Sequence, residues 1–86
     1  MKIEALIKMA NEIAAFFEGE GGEQEAPGLV ASHLRRFWEP RMRREIIAYY
    51  QANGGEGLEE VARRAVGLLA AEQQTAAADG SAARAG

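Results

Sequence analysis

Residues 33–44 read HLRRFWEPRMRR and combine a break in helical structure with a dense set of side chains suited to binding. The stretch holds five of the chain's ten basic residues, its single Trp and its single His. Pro40 fixes its own φ and disfavours the helical region for Glu39. A helix arriving from the N-terminal side should therefore end near Trp38, and a second helix should begin at Pro40. We predict a helical corner, with Phe37 and Trp38 at the hinge.

The size and composition of the chain limit the kinds of protein that it can be. Its 86 residues form one small domain with a modest core, so a permanent partner would stabilise it. It contains no cysteine, which excludes disulfides and thiolate zinc sites and fits a reducing compartment. The sequence has neither an apolar run of about 20 residues nor a signal-peptide pattern. We therefore expect a cytoplasmic protein.

Charge is unevenly distributed along the chain. The formal net charge is -3, but residues 1–25 contain six acids and two lysines, whereas residues 35–44 contain five arginines and one acid. The average charge therefore conceals a basic patch. Residues 19–28 are rich in glycine and glutamate, and the glutamates would repel a phosphate. We expect this segment to be a solvated loop and not a phosphate-binding loop.

Apolar residues recur with helical spacing in four segments. They predict helices at residues 3–18, 27–38, 40–52 and 58–72. The expected fold class is all-α, a small bundle of three to four short helices. Residues 1–74 would form the domain and residues 75–86, which lack large apolar side chains, a disordered Ala/Gly-rich tail. The predicted core comprises Ile7, Ala10, Ile13, Phe17, Val30, Leu34, Phe37, Ile46, Tyr50, Val61 and Leu68.

The first predicted helix has a wide apolar face. Met9 and Phe16 lie at one border of that face, whereas Asn11 and Glu12 lie on the opposite, polar side. Such width is typical either of a broad core face or of a second contact surface. We favour the broad core face.

The residue types needed for catalysis are scattered along the chain. There is no cysteine nucleophile and no recognisable catalytic serine–base arrangement, and the acids lie on predicted solvent faces or in the glycine-rich segment. His33 stands alone beside an apolar stripe, which favours a hydrogen-bonded border residue over a metal ligand or general base. We expect no catalytic, cofactor-binding or metal site.

Five arginines beside aromatic side chains suit two kinds of partner. Nucleic acid would use them for phosphate contacts, but the acidic pI of about 5.1 opposes such binding. A protein partner would offer carboxylates and carbonyl groups, and we favour it. A nucleic-acid-binding or other adaptor role stays as the alternative. The predicted partner-binding residues are His33, Arg35, Arg36, Phe37, Trp38, Pro40, Arg41, Met42 and Arg43.

Two of these residues are expected to combine structural and binding roles. Trp38 is a large amphipathic ring at a corner, and we expect it to lie in the core while sharing an interface. Arg43 is expected to rest its aliphatic stem on apolar surface and to aim its guanidinium. Arg41 and Arg44 are expected to face outward.

Three stretches resemble a known family in their order and spacing. They are LIKMANEI at residues 6–13, followed by Phe16 and Phe17, then HLRRFWEPRMR at residues 33–43 and GGEGL at residues 54–58. Together they resemble the delta subunit of NAD-dependent formate dehydrogenases, from about residue 3 to residue 69. That family usually carries a proline where this chain has Glu59 and Glu60, so the resemblance leaves the start of the last helix open.

The resemblance implies a non-catalytic small subunit of a bacterial enzyme complex. In such complexes other subunits carry a molybdenum bis-pterin guanine dinucleotide centre, iron–sulfur clusters and FMN, and couple formate oxidation to NAD reduction. The implied partners are the large molybdenum-containing alpha subunit and, through it, the diaphorase-type subunits, with neither nucleic acid nor membrane. The implied role is assembly, cofactor loading or stability of the large subunit, with no cofactor bound by this chain.

Overall fold

The computed structural model describes residues 2–85, with side chains described for residues 2–73. It contains three helices, α1 at Ile3–Phe37, α2 at Pro40–Asn53 and α3 at Glu60–Ala85. No β-strand occurs in the described residues. The predicted all-α class is therefore confirmed. Most of the packing is between α1 and α3, and α2 packs against both.

The helix α1 consists of two helical segments joined by a reversal at Gly22. Gly22 has φ 73° and ψ 179°, while the residues on either side are helical. A continuous helix would separate residues 17 and 33 by about 24 Å along its axis. Instead, the ring centres of Phe17 and His33 lie 5.8 Å apart. Segments 3–21 and 23–37 therefore run antiparallel and form a helical hairpin.

The predicted solvated loop at residues 19–28 is wrong, because the helix continues up to the reversal and resumes directly after it. Glycine adopts a positive φ without the strain that a side chain would add, so one residue suffices to turn the chain. Glu23 and Glu25 follow in the first turn of the second segment, where the helix dipole favours acids. Ala26 and Pro27 are buried, and such packing outweighs the low helix propensity of the glycines.

The corner between α1 and α2 has the predicted form. The helix α1 ends at Phe37, and the Trp38 N–H still donates to the Leu34 carbonyl at 3.0 Å. Trp38 and Glu39 are extended, with ψ values of 140° and 150°. Pro40 occupies the start of α2, where its missing N–H removes no helical hydrogen bond. The sequence-based placement of this corner is confirmed.

The loop between α2 and α3 is fastened to α1. It starts at Gly54, which has a left-handed conformation with a φ of 69°. The Asn11 amide donates to the Gly57 carbonyl at 3.0 Å, and its Oδ1 accepts from the Glu59 N–H at 2.8 Å. Asn11 is half-buried on the predicted polar side of the first helix, where it contacts this loop. Its side chain holds the beginning of α3 against α1.

The core is built mainly from aliphatic and small side chains of all three helices. Buried alanines let the helices approach closely, and the largest fully buried side chains are Leu6, Val30, Leu34, Ile46 and Val66. The predicted core positions that are buried are Ala10, Val30, Leu34, Ile46 and Val61. Those that are half-buried and pack against the core are Ile7, Ile13, Phe17 and Tyr50.

Two predicted core residues lie on the surface. Phe37 is 72% exposed and Leu68 is 44% exposed. A helical wheel gives the direction of a side chain, but not whether a neighbouring helix reaches far enough to cover it. At the corner Trp38, which is only 5% exposed, belongs to the core instead of Phe37. The core role predicted for Trp38 is confirmed.

The last predicted helix agrees with the structure at its start, since α3 begins within two residues of position 58, but α3 extends to Ala85 and not to the predicted end at residue 72. The predicted disordered tail at residues 75–86 lies outside the residues whose side chains are described, and it stays a prediction. Within the described residues, none of the helices has the length and apolar character needed to cross a membrane.

Candidate partner-binding surface

Four side-chain rings form a continuous row on the α1 hairpin. The distances between ring centres are 5.1 Å from Phe16 to Phe17, 5.8 Å from Phe17 to His33 and 4.8 Å from His33 to Phe37. The first two rings come from segment 3–21, and the other two lie about one turn apart on the antiparallel segment. The reversal at Gly22 is what brings the two pairs together. We call Phe16, Phe17, His33 and Phe37 the aromatic row.

Both ends of the aromatic row are strongly exposed. Phe16 is 63% exposed, and Phe37 is more exposed still, while Phe17 and His33 are half-buried between them. Interpreting Phe16 as part of a broad core face was therefore wrong, whereas Met9 does pack against the core. Large exposed rings that contact one another are a feature of surfaces that bind other proteins.

Two shallow depressions flank the middle of the aromatic row. The larger has a volume of about 450 Å³ and is lined by Met9, Glu12, Ile13, Phe16, Phe17 and His33. The smaller, of about 190 Å³, is lined by Phe17, Leu29, Ser32, His33, Arg36 and Phe37. Phe17 and His33 belong to both and form the ridge between them. Glu12 brings a carboxylate to the larger depression, and Arg36 brings a guanidinium to the smaller one.

The arginines around Pro40 form a second surface, and they differ in what they bind. We define the basic corner as Arg35, Arg36, Arg41, Arg43 and Arg44. Arg35 donates from Nε and Nη2 to the two carboxylate oxygens of Glu72, at 3.1 and 2.5 Å. This bidentate pair links the end of α1 to α3. About half of each side chain is exposed, so solvent weakens the attraction between the two charges.

Arg43 binds the end of α1. Its Nη1 donates to the carbonyl of Arg35 at 2.8 Å and to the carbonyl of Trp38 at 2.7 Å. The last carbonyls of a helix lack intrahelical partners, and a cation near them also interacts favourably with the helix dipole. Arg43 is half-buried, which agrees with the expected packing of its stem. Its guanidinium, however, is aimed at the chain's own backbone.

The other arginines of the basic corner are Arg36, Arg41 and Arg44, and all three are exposed. The ion pairs formed among the described side chains use Arg35, Arg63 and Arg64. Within residues 2–73, no carboxylate therefore pairs with Arg36, Arg41 or Arg44. These three side chains are the cations that the described surface offers at the corner.

The predicted partner-binding residues thus separate into groups with different surroundings. His33, Arg36 and Phe37 lie together at the aromatic row, and Pro40 and Arg41 are exposed at the corner. Trp38 packs in the core and Met42 packs against it. Arg35 and Arg43 form hydrogen bonds within the chain. Contact between any of these residues and a partner stays a prediction.

Sequence reasoning missed Phe16 and Phe17 as members of this surface. The available signal was the border position of Phe16 on the first helical wheel. It did not reveal the row, because His33 and Phe37 reach these rings only through the reversal at Gly22. Contacts of this kind join residues that are distant in sequence, and helical periodicity describes only one segment at a time.

Ring stacking, burial of apolar surface and ion pairing are the chemistry that this surface offers. Among the described residues, no group of three or more His, Cys, Asp or Glu side chains is placed to hold a metal ion. The core of residues 2–73 likewise buries no polar or charged side chain. Polar groups in this part of the chain lie at the surface or at its border.

The fold and this surface define a small all-helical protein with an exposed aromatic row beside a partly occupied basic corner. A family model described as the NADH-dependent formate dehydrogenase delta subunit FdsD matches residues 5–66. The match covers more than half of the chain, and the chain belongs to this family of formate dehydrogenase delta subunits. The resemblance found in the sequence is therefore confirmed. Neither the comparison with curated proteins nor the one with solved structures found a match.

Proposed function

We propose that this chain is a non-catalytic subunit that docks on the large molybdenum-containing subunit of a formate dehydrogenase. There it supports assembly, cofactor loading or stability of that subunit, in the cytoplasm. The observation that carries the proposal is the family match over residues 5–66, which spans both the aromatic row and the basic corner. In this proposal the other subunits, including the diaphorase-type subunits, hold the molybdenum centre, the iron–sulfur clusters, FMN and the NAD site.

The exposed rings support a docking role. Phe16 and Phe37 leave large apolar surfaces in water in the isolated chain, and burying each ring would remove on the order of 100 Å² of apolar surface from water. At about 25 cal/mol per Å², burial of both rings would contribute roughly 5 kcal/mol before the costs of association. A subunit that is always bound would keep such rings covered.

The nucleic-acid alternative loses support from the internal contacts of the basic corner. Arg35 pairs with Glu72, and Arg43 donates to two backbone carbonyls. Phosphate binding relies on a field built from many available cations, and this corner presents fewer than its sequence suggests. The net charge of -3 opposes it further.

Co-purification from the source organism tests the proposal. An affinity-tagged copy of the chain should recover the other formate dehydrogenase subunits, identified by mass spectrometry. Deleting the gene should lower the molybdenum content of the purified large subunit, or its yield, and the unsubstituted chain should restore both. Recovery of nucleic acid without formate dehydrogenase subunits would contradict the proposal, as would a fully loaded enzyme at normal yield in the deletion strain.

A further inference from the structure

We infer that the aromatic row and Arg36 form the docking site, and that its occupant is an apolar helical segment of another subunit with a carboxylate facing Arg36. This inference rests on the proposed function and adds the surface and the chemistry of the partner. It moves the site away from Trp38 and Arg43, which are among the partner-binding residues predicted from the sequence. Both of those side chains are occupied within the chain.

The rings of the aromatic row are held in place before any partner arrives. Phe17 and His33 are half-buried, and each touches a ring on either side. Phe16 and Phe37 therefore project from a supported base and lose little freedom when they are covered. Aromatic side chains, Phe among them, are enriched at protein interfaces relative to the rest of the surface.

The two depressions favour a helical occupant. They lie on opposite sides of the ridge made by Phe17 and His33, so they can accept two side chains that project from one face of a partner helix. Residues three or four apart on a helix project in this way, and apolar residues at that spacing enter grooves of this kind. The larger depression, of about 450 Å³, has room for a large apolar side chain.

The charges beside the depressions indicate where the partner segment should carry a carboxylate. Arg36 lines the smaller depression and has no carboxylate partner among the described side chains, whereas Glu12 lines the larger one. A partner carboxylate next to Arg36 would form a charge-assisted hydrogen bond at the edge of an apolar contact. Arg41 and Arg44 add positive charge at the corner, so the partner should be acidic at that end.

A second copy of this chain fits the surface less well. A stable protein interface buries about 800 Å² on each partner, and the aromatic row offers two strongly exposed rings. A copy would also bring the exposed arginines of its own basic corner into the contact. A different subunit can instead extend the contact along the corner with carboxylates.

Photo-cross-linking within the complete complex tests the site and the occupant together. The variants are Phe16→p-benzoylphenylalanine and Phe37→p-benzoylphenylalanine, with Leu68→p-benzoylphenylalanine as the control on the exposed face of α3. We expect the first two to cross-link to one apolar, acid-bearing segment of another formate dehydrogenase subunit, and the control to give at least about tenfold less product. Mass spectrometry of the cross-linked peptides identifies the segment.

Several outcomes would overturn the inference. They are a cross-link to a second copy, a cross-link to the chain's own residues 74–86, an equal yield from position 68, and no product from positions 16 and 37 in an assembled complex. Failure of the unsubstituted chain to recover any formate dehydrogenase subunit would overturn the proposed function as well. The two failures are therefore distinguishable.

Affinity measurements on the same complex give an independent readout. Phe16→Ala combined with Phe37→Ala should weaken association about thirtyfold or more, as expected for truncated anchor residues. Arg36→Glu should weaken it more than Arg44→Glu, although both change the net charge equally. Thermal melts of the isolated variants should stay close to that of the unsubstituted chain. Equal losses of affinity for Arg36→Glu and Arg44→Glu would overturn the inference that a partner carboxylate faces Arg36.

Discussion

The aromatic row and the basic corner lie close together on the chain, yet they differ in what they leave available. In the basic corner, Arg35 binds Glu72 and Arg43 binds carbonyls at the end of α1. In the aromatic row, the rings contact one another but the two ends stay open to solvent. A high density of functional side chains in a sequence therefore does not measure how many of them remain available to a partner.

The neighbouring residues Phe37 and Trp38 give the sharpest form of this comparison. Trp38→Ala should destabilise the domain by about 3 to 5 kcal/mol, because it removes a buried ring from a core that supports only a few kcal/mol of net stability. Phe37→Ala should change the free energy of unfolding by less than about 1 kcal/mol, because the ring is mostly in water. Chemical denaturation of both variants measures the difference. A larger loss of stability for Phe37→Ala than for Trp38→Ala would show that Phe37, and not Trp38, is the ring packed in the core.

The glycines before and at the reversal test the hairpin that brings the aromatic row together. Gly22→Ala should destabilise the fold by about 1 to 3 kcal/mol, because alanine is strained at the φ of 73°. Gly19→Ala should instead stabilise it by about 0.5 to 1 kcal/mol, because Gly19 lies within the helical segment and an added Cβ meets nothing within 4 Å. Thermal unfolding followed by circular dichroism compares them. Stabilisation by both substitutions would contradict the reversal.

The arginines of the basic corner should separate by their internal contacts. Arg43→Ala should destabilise the domain by about 1 to 2 kcal/mol, because it leaves the carbonyls of Arg35 and Trp38 without this donor. Arg44→Ala should change stability by less than about 0.5 kcal/mol, because Arg44 is exposed. Denaturation of the isolated chain reports both values. Equal stability of the two variants would contradict a stabilising role for Arg43 at the corner.

Much of the local structure could be predicted from short-range patterns. Pro40 fixes its own φ and sterically restricts the backbone of Glu39, so the corner was placed correctly. Gly54 ends α2 for a similarly local reason. The class of fold and the family also followed from the sequence, and the family match over residues 5–66 confirms the latter.

The candidate site could be predicted only in part. His33, Arg36 and Phe37 were chosen from the sequence and lie together at the surface, but Phe16 was assigned to a core face. The missing information was the position of the reversal. Residues 19–28 contain several glycines and glutamates, and nothing local distinguishes Gly22 from the others as the single residue with positive φ before the second segment.

The sequence by itself determined that this chain is helical, that it turns at Pro40, and that it resembles formate dehydrogenase delta subunits. The helical character and the turn depend on backbone restrictions and on spacing within a few turns, whereas the resemblance depends on three short motifs and their order. Only the tertiary structure decided that Trp38 is covered and Phe37 is not, that Arg43 binds the end of α1, and that Asn11 holds the loop before α3. Burial and hydrogen bonding of this kind depend on which distant segments meet, and that is set by how all three helices pack together.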